Sequence, residues 1–450
     1  MKFLSLLLVI LFAVPAYSKD KSIDLLQNRI LKIEEKLNKS ESKSKAYFSK
    51  GNGLSIKSYD GKYKFALKGR MMYDIGGLLN YKLDDSDVSM DNGFGSEFRR
   101  LRFSLKGEVG NGWGFAFQPD FADGGDDSAD RKVIVKDALM YKKIKNVGKF
   151  TFGNQKAAAG LYENTSSNNL MFMERPMHNE VMNLGHRSGI GYDTSGAFGK
   201  YFHLKTTLFS GGESAIEQNL SDGESGNETY GASVATHYNI KGYGGSLLTG
   251  FHYGYWNVSN INGALDTPNG ARAQGIHTLK DKVVDFGNMS NLESLSFYGP
   301  QFSLIYKDFL LQGEYQRGAW GLSKTTGGVV HDDLTFHGGS IGAVYQFLGN
   351  GKFKHSGKKG ALGGFKCKRH CTMAKYQYEF IDAVDQPTNS HYNENIGGSG
   401  QAHTFGINHY FNPNVRVMAE YAHGDYSNDN SQGGASSKMN SIQLRLHLKY

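Results

Sequence analysis

The chain has 450 residues, with 13% aromatic residues, 58 glycines, only 7 prolines and a formal net charge of +8. Mean hydropathy is −0.47. Beyond the N-terminal stretch there is no run of eighteen apolar residues, which excludes a membrane protein built of spanning helices. What remains open is a set of soluble domains, or one large barrel whose apolar residues are spread one strand face at a time around a wet interior.

The opening residues, MKFLSLLLVILFAVPAYSKD, read as a signal peptide over residues 1–18. Lys2 is a short basic region, Phe3 to Val14 an apolar one, and Ala16 and Ser18 fit a small-residue cleavage site. The mature chain is therefore expected to be exported. Residues 19–50 follow as a periplasmic coiled-coil segment and linker. Ile23, Leu26, Ile30, Ile33 and Leu37 keep the 3-4-3-4 spacing of a coiled-coil seam, and isoleucine at both kinds of seam position favours three strands or more. So short a helix is not stable alone. It forms either on an assembled oligomer or as a lone amphipathic helix lying on the rest of the protein.

From residue 51 to 450 the sequence alternates in sixteen segments, from KYKFALKGRMMYDI and EFRRLRFSLKGEV to the closing SIQLRLHLKY. Period-two alternation means strands with two unlike faces. Connections after even-numbered segments are mostly tight, such as Asn111-Gly112 and Asn412-Pro413. Those after odd-numbered segments are long. That asymmetry belongs to outer-membrane barrels, with short periplasmic turns and long outer loops. The fold expected is all-β: a 16-stranded antiparallel transmembrane β-barrel preceded by a short N-terminal coiled-coil helix. One even connection, 348–371, is long and holds seven Lys/Arg and no acid, so it is expected to make the periplasmic side basic, while outer stretches 84–91 and 123–127 are acidic. In the closing segment Leu444, Leu446, Leu448 and Tyr450 share one face. That segment must pair with the first to abolish the sheet edge.

Several stretches resemble the phosphate-selective porin O/P family: FRRLRFSLKGEV followed by WGFAFQPDF, then VKDALMY, FGNQKAAAGLYENTSSNNLMFMERP and NHYFNPNVRVMAEY. The resemblance runs over roughly residues 50–450. It implies a sixteen-stranded trimeric porin of a Gram-negative outer membrane. The closing aromatic strand looks like the signal read by the barrel-assembly machinery. The resemblance also implies that the third outer loop, within 156–186, folds inward and sets the constriction, with Lys156, Glu163, Glu174, Arg175 and Glu180 facing the pore. The Leu170–Met173 patch would then pack on the inner wall, or alternatively make a trimer contact. Family members that select phosphate carry runs of Arg at alternating positions along a strand. The middle segments here, KYFHLKTTLFSG and YGASVATHYNI, carry none.

A charge facing lipid at mid-depth costs about 2–4 kcal/mol, so the basic side of the first two strands should face water. Lys64, Lys68, Arg70, Arg100, Arg102 and Lys106 form that stripe. It either attracts anions by fixed charge or is neutralised by lumenal carboxylates such as Asp120, Glu314, Glu379 and Glu420. Cys367 and Cys371 are the only cysteines. In an oxidising compartment they suit a local disulfide, and a metal site with His355 and His370 is the alternative. No catalytic constellation, cofactor motif or phosphate-binding loop is found, so neither an enzyme nor a nucleic-acid partner is expected. The function expected is a passive diffusion channel for small hydrophilic solutes and ions, with anion preference as one reading and phosphate specificity unsupported. The alternative is an adhesive surface protein displaying acidic loops. Expected partners are outer-membrane lipid and lipopolysaccharide, the assembly machinery, further copies forming a homotrimer, and small anions or other solutes.

Overall fold

The computed structural model describes residues 21–41, 44–49, 53–83, 93–122, 133–199, 201–210, 230–257, 292–322, 333–383, 398–428 and 435–450, with short strand pieces between 265 and 330. Residues 1–18, expected as a signal peptide, and the acidic stretches 84–91 and 123–127 lie outside the described residues.

Helix α1 spans Lys21–Glu41. Its described side chains, including Leu26, Ile30 and Ile33, are exposed, so this part of the apolar stripe does not pack on the other described residues. The side chains of Ile23 and Leu37 fall outside the description. A hairpin follows, Lys45–Ser49 against Gly53–Lys57.

The main sheet joins this hairpin to sixteen barrel strands. In chain order these are β1 (Tyr63–Leu83), β2 (Phe94–Val109), β3 (Trp113–Asp120), β4 (Ile134–Ile144), β5 (Gly148–Lys156) and β6 (His186–Asp193). Next come β7 (Phe202–Ser210), β8 (Tyr230–Gly242), β9 (Gly245–Asn257), β10 (Leu292–Tyr306), β11 (Phe309–Leu322) and β12 (Leu334–Leu348). The last four are β13 (Cys371–Ala383), β14 (Gly398–Tyr410), β15 (Val415–Asn428) and β16 (Ala435–Lys449). Each pairs antiparallel with the next, and β16 pairs with β1 from Ser437↔Leu83 to Lys449↔Arg70, closing the barrel. Tyr450 and Gly69 then exchange two backbone hydrogen bonds of 3.1 Å. The hairpin strand Gly53–Lys57 pairs with β1 at Lys64–Leu67, in line with β16 and directly beyond its end.

Burial is inverted relative to a soluble protein. On β16 the apolar Ile442, Leu444 and Leu446 are 43–50% exposed, whereas Gln443, Arg445 and His447 between them are 1–2% exposed. The alternation thus points its greasy side to the lipid and its polar side inward. At the tight β2–β3 turn, Asn111 and Gly112 both take positive φ (49° and 79°), which a two-residue hairpin loop demands.

One register break has consequences inside. Met72 pairs with Arg100 but Tyr73 with Phe98, so Arg99 is an extra residue in β2. Strict alternation would put Arg99 on the lipid face. The bulge turns it inward together with Arg100, since both reach Glu174.

Candidate functional site

The segment 157–185, between β5 and β6, crosses the inside of the barrel and lies against its far wall. A loop sealed there must find partners for its backbone, and the wall's charged side chains supply them. The Tyr162 N–H donates to Glu314 Oε2 (3.2 Å) on β11, Met177 N–H to Glu379 Oε2 (3.0 Å) on β13, and Met173 N–H to Glu420 Oε1 (2.8 Å) on β15. Leu161 N–H donates to Gln301 on β10. In the other direction Arg416 donates to the Leu170 carbonyl (2.8 Å), and Lys375 (3.1 Å) and Asn408 (2.7 Å) to that of Met171. Lys375 in turn pairs with Glu420. Glu314, Glu379 and Glu420 therefore hold the loop; they do not face the basic stripe as neutralising charges.

Space for the loop comes from glycines in β12. A Cβ on Gly338 would meet that of His178 at 2.7 Å, and one on Gly342 would meet the Phe172 ring at 2.9 Å. The Leu170–Met173 patch is buried, 1–4% exposed.

The strongest mooring is Glu174. Its carboxylate takes Arg100 at 2.8 and 2.7 Å, Arg445 at 2.6 Å and Arg99 at 3.3 Å, while Arg445 also pairs with Asp74 at 2.6 Å. Arg100 and Glu174 are 4% and 3% exposed. Sequence reasoning placed both on the pore; the structure puts both beneath the loop. Arg99, Arg445, Arg416 and Lys375 were missed, because their role appears only once the loop is in place.

Beyond the loop, the accessible part of the inner wall belongs to β1–β7. Lys64, Lys68, Arg70 and Arg102 are half-buried there and Lys106 is exposed, whereas inward residues of the far wall such as Gln377, Asn408 and Gln312 are sealed. Arg102 pairs with Asp120, and Arg70 donates to Ser167 of the loop. Glu163, itself buried and not open to the passage, bridges the half-buried Lys156 and Arg175, each at 2.8 Å. Burial alone would raise the Glu163 carboxyl, but Arg175 and Lys156 outweigh it and hold the pKa down to about 2. Glu180 is half-buried in the short helix Met177–Val181.

A second element enters from the opposite end. The long connection 349–370 does not extend from the barrel as a basic periplasmic turn; it folds back into the lumen. The reason is its apolar content: Phe353, Leu362 and Phe365 pack with the loop's Met171 and Phe172 and with wall residues Ile305, Leu310, Val344 and Met373. His355 bonds Ser246 and Ser303, both at 2.9 Å. Gly360, at φ +53°, lies so close to the His237 ring that a Cβ would meet it at 2.2 Å. Burial, then nearby Lys106, lowers the pKa of the Lys359 amine. Cys367 and Cys371 are joined by a disulfide with Cα atoms 6.1 Å apart. The alternative metal grouping is not assembled, since His355 is engaged by serines and His370 lies against His409 (3.4 Å).

The sequence profile of the phosphate-selective porin O and P family matches residues 65–450. No protein of curated function matches the sequence. Among solved structures, the outer-membrane channel DcaP of Acinetobacter baumannii is similar at 11% identity and a TM-score of 0.52, over 88% of this chain and 99% of that one. A loop-deletion form of OmpT, an outer-membrane protein of Vibrio cholerae, is similar at 13% identity and 0.51, over 86% and 100%. An anion-selective porin from Comamonas acidovorans follows at 14% identity and 0.50, over 86% and 100%. At these identities the likeness is one of fold.

Proposed function

We propose, from the premise that this chain belongs to the phosphate-selective porin O and P family, that its passage prefers small anions without selecting phosphate. The protein is an outer-membrane porin, a passive diffusion channel in a closed barrel. The reading of the segment 157–185 as its constriction is supported by the loop's path across the lumen and its contacts with the far wall. Anion preference is carried by one observation: the accessible lumenal strip is basic. Lys64, Lys68, Arg70, Arg102 and Lys106 line it and outnumber its carboxylates Glu108, Asp120 and Asp137, whereas Glu314, Glu379 and Glu420 are used up beneath the loop. Confined fixed charge acts on a passing ion more strongly than charge in bulk water. Against phosphate selection stands the absence of Arg from β7 and β8.

The test is the reversal potential of the purified channel in a KCl gradient. Arg70→Gln, Arg102→Gln and Lys106→Gln together are expected to move it toward cations. The shift should be larger at 10 mM salt, where the screening length is about 30 Å, than at 1 M, where it is about 3 Å. An unchanged potential at both salt levels would overturn the anion reading. Arg100 is left out of this set because it is committed to Glu174.

Oligomeric state is part of the same proposal. The exposed seam residues Leu26, Ile30 and Ile33 suit a three-stranded coil, and a homotrimer is the assembly it supports. Deleting residues 19–44, which spares the hairpin, is expected to weaken the trimer on native gels and leave the barrel's β circular dichroism intact. A trimer of unaltered heat stability would count against the coil.

A further inference from the structure

We infer that the inward-folded connection 349–370, closed by the Cys367–Cys371 disulfide, is a strut that positions the lumen-crossing loop and so sets the width of the passage from the periplasmic side. The inference rests on reading that loop as the constriction, and it adds the residues that hold it there.

Two kinds of contact join the two elements, and a third feature anchors the strut to the wall. First, the loop's Met171 and Phe172 share a buried apolar cluster with Phe353, Leu362 and Phe365 of the connection. The Phe353 and Phe365 rings are 4.9 Å apart, and Phe365 is 5.0 Å from the Tyr410 ring of the wall. Second, the Leu362 N–H donates to Thr165 Oγ1 at 3.1 Å, and Asn169 Nδ2 donates to the Leu362 carbonyl at 3.4 Å. Leu362 thus presents both its side chain and both its backbone groups to the loop. Third, the base of the strut is fixed. Both half-cystines are buried, at 2% and 1% exposed, within the same cluster, and Cys371 is the first residue of β13.

The wall contacts described above fix the loop at its flanks: Arg416 and Lys375 hold residues 170 and 171, and Glu174 holds the turn after them. Residues 165–169 reach β16 and β1 through Asn168 and Ser167 only, by His447 (3.1 Å) and Arg70. Within the loop Arg175 donates to the Thr165 carbonyl (3.1 Å), and the strut adds its bonds to Thr165 and Asn169. A connection with seven cations and no acid would gain more by staying in water, unless its apolar side chains had a fixed partner to meet. The covalent closure of a four-residue separation reduces the freedom of the strut's base in its unpacked state. The bond is buried, so it acts here as a constitutive staple and not as an exposed redox centre.

The test uses the full-length oligomer in planar bilayers, with heat-modifiability on gels to show that each variant is a folded barrel. Cys367→Ser with Cys371→Ser, and separately Phe353→Ala with Phe365→Ala, are expected to lose the single conductance level in favour of larger, fluctuating ones. Thr165→Val, which removes only the hydroxyl that receives the Leu362 N–H, is the mild variant and should raise current noise in a barrel of unaltered heat stability. A strut that is merely structural would lower the unfolding temperature in the first two variants while conductance and noise stayed at wild-type values; that result overturns the inference. Shortening the loop itself by removing residues 165–169 separates the two ideas. If this deletion leaves conductance unchanged, the loop is not the constriction. If it raises conductance while all three strut variants keep the wild-type level, the constriction stands and the strut falls.

Discussion

Glu174→Gln is expected to unseat the loop from the inner wall and turn a quiet channel into a wider, noisier and more anion-selective one. Three guanidinium groups converge on this carboxylate, and it is almost fully buried. After the substitution Arg445 keeps Asp74, but Arg99 and Arg100 lose their carboxylate partner. Breaking one side of a buried ion pair costs about 3–5 kcal/mol, because the remaining charge stays desolvated. The cheapest relief is for the loop to lift so that both arginines meet water. The barrel itself should survive, since its closure is a ladder of backbone bonds between β16 and β1. Single-channel recording and reversal potential read both effects, with the exposed Lys62–Asp60 pair in the turn before β1 as a control. Asp60→Asn should change neither, as exposed pairs contribute little. A Glu174→Gln channel with wild-type conductance and selectivity would show that the backbone contacts alone moor the loop.

Tyr450→Ser should sharply lower the amount of folded, heat-modifiable protein in the outer membrane, and Gly69→Val should approach the same result from the other strand. Leu444, Leu446, Leu448 and Tyr450 all face outward, and the proposal is that this face is the assembly signal. The Tyr450 ring lies over Gly69, where a Cβ would meet it at 2.2 Å. An aromatic ring covering a glycine on the neighbouring strand is a known way to fix register at an edge. Here it sits at the last rung of the closing pair, beside the two hydrogen bonds between the same residues. Valine at 69 would push the ring away without altering β16 itself. If both variants reach wild-type surface levels, the closing rung is dispensable and assembly depends on the strand's other residues.

The barrel was legible because its signal is local. Each strand states its two faces within ten residues, and turn pairs such as Asn111-Gly112 mark the reversals. Arg99 was missed for a related reason, since a bulge is invisible to alternation; the Arg99-Arg100 doublet, two like charges on nominally opposite faces, was the available sign. The moorings were not legible for a different reason. Glu174 and Arg445 are 271 residues apart in sequence, and nothing near either one names the other. Gly338 and Gly342 read as ordinary strand residues until the loop lies in the space they leave. The inward fold of 349–370 was hidden by its seven cations, which suggested a solvated turn. The counter-signal was Phe353, Leu362 and Phe365 spaced among glycines, with two cysteines at the end.

The short hairpin before β1 gives the molecule a mechanical property. Helix α1 connects to the barrel only through this hairpin, whose outer strand makes five residue pairs with its inner one from Lys45↔Lys57 to Ser49↔Gly53. Tension on the helix is applied at the Lys45 end, so it opens those pairs one after another, and peeling a ladder takes far less force than shearing it. The inner strand, joined to β1 through a turn at residues 58–62 and paired with it at Lys64–Leu67, is loaded only afterwards. The hairpin is therefore expected to yield as a mechanical fuse, lengthening the tether while the β16–β1 seam stays closed. Pulling on the helix of a membrane-embedded barrel should show a small low-force extension before any strand leaves the bilayer, and a trace without that first step would mean that the load reaches the seam directly.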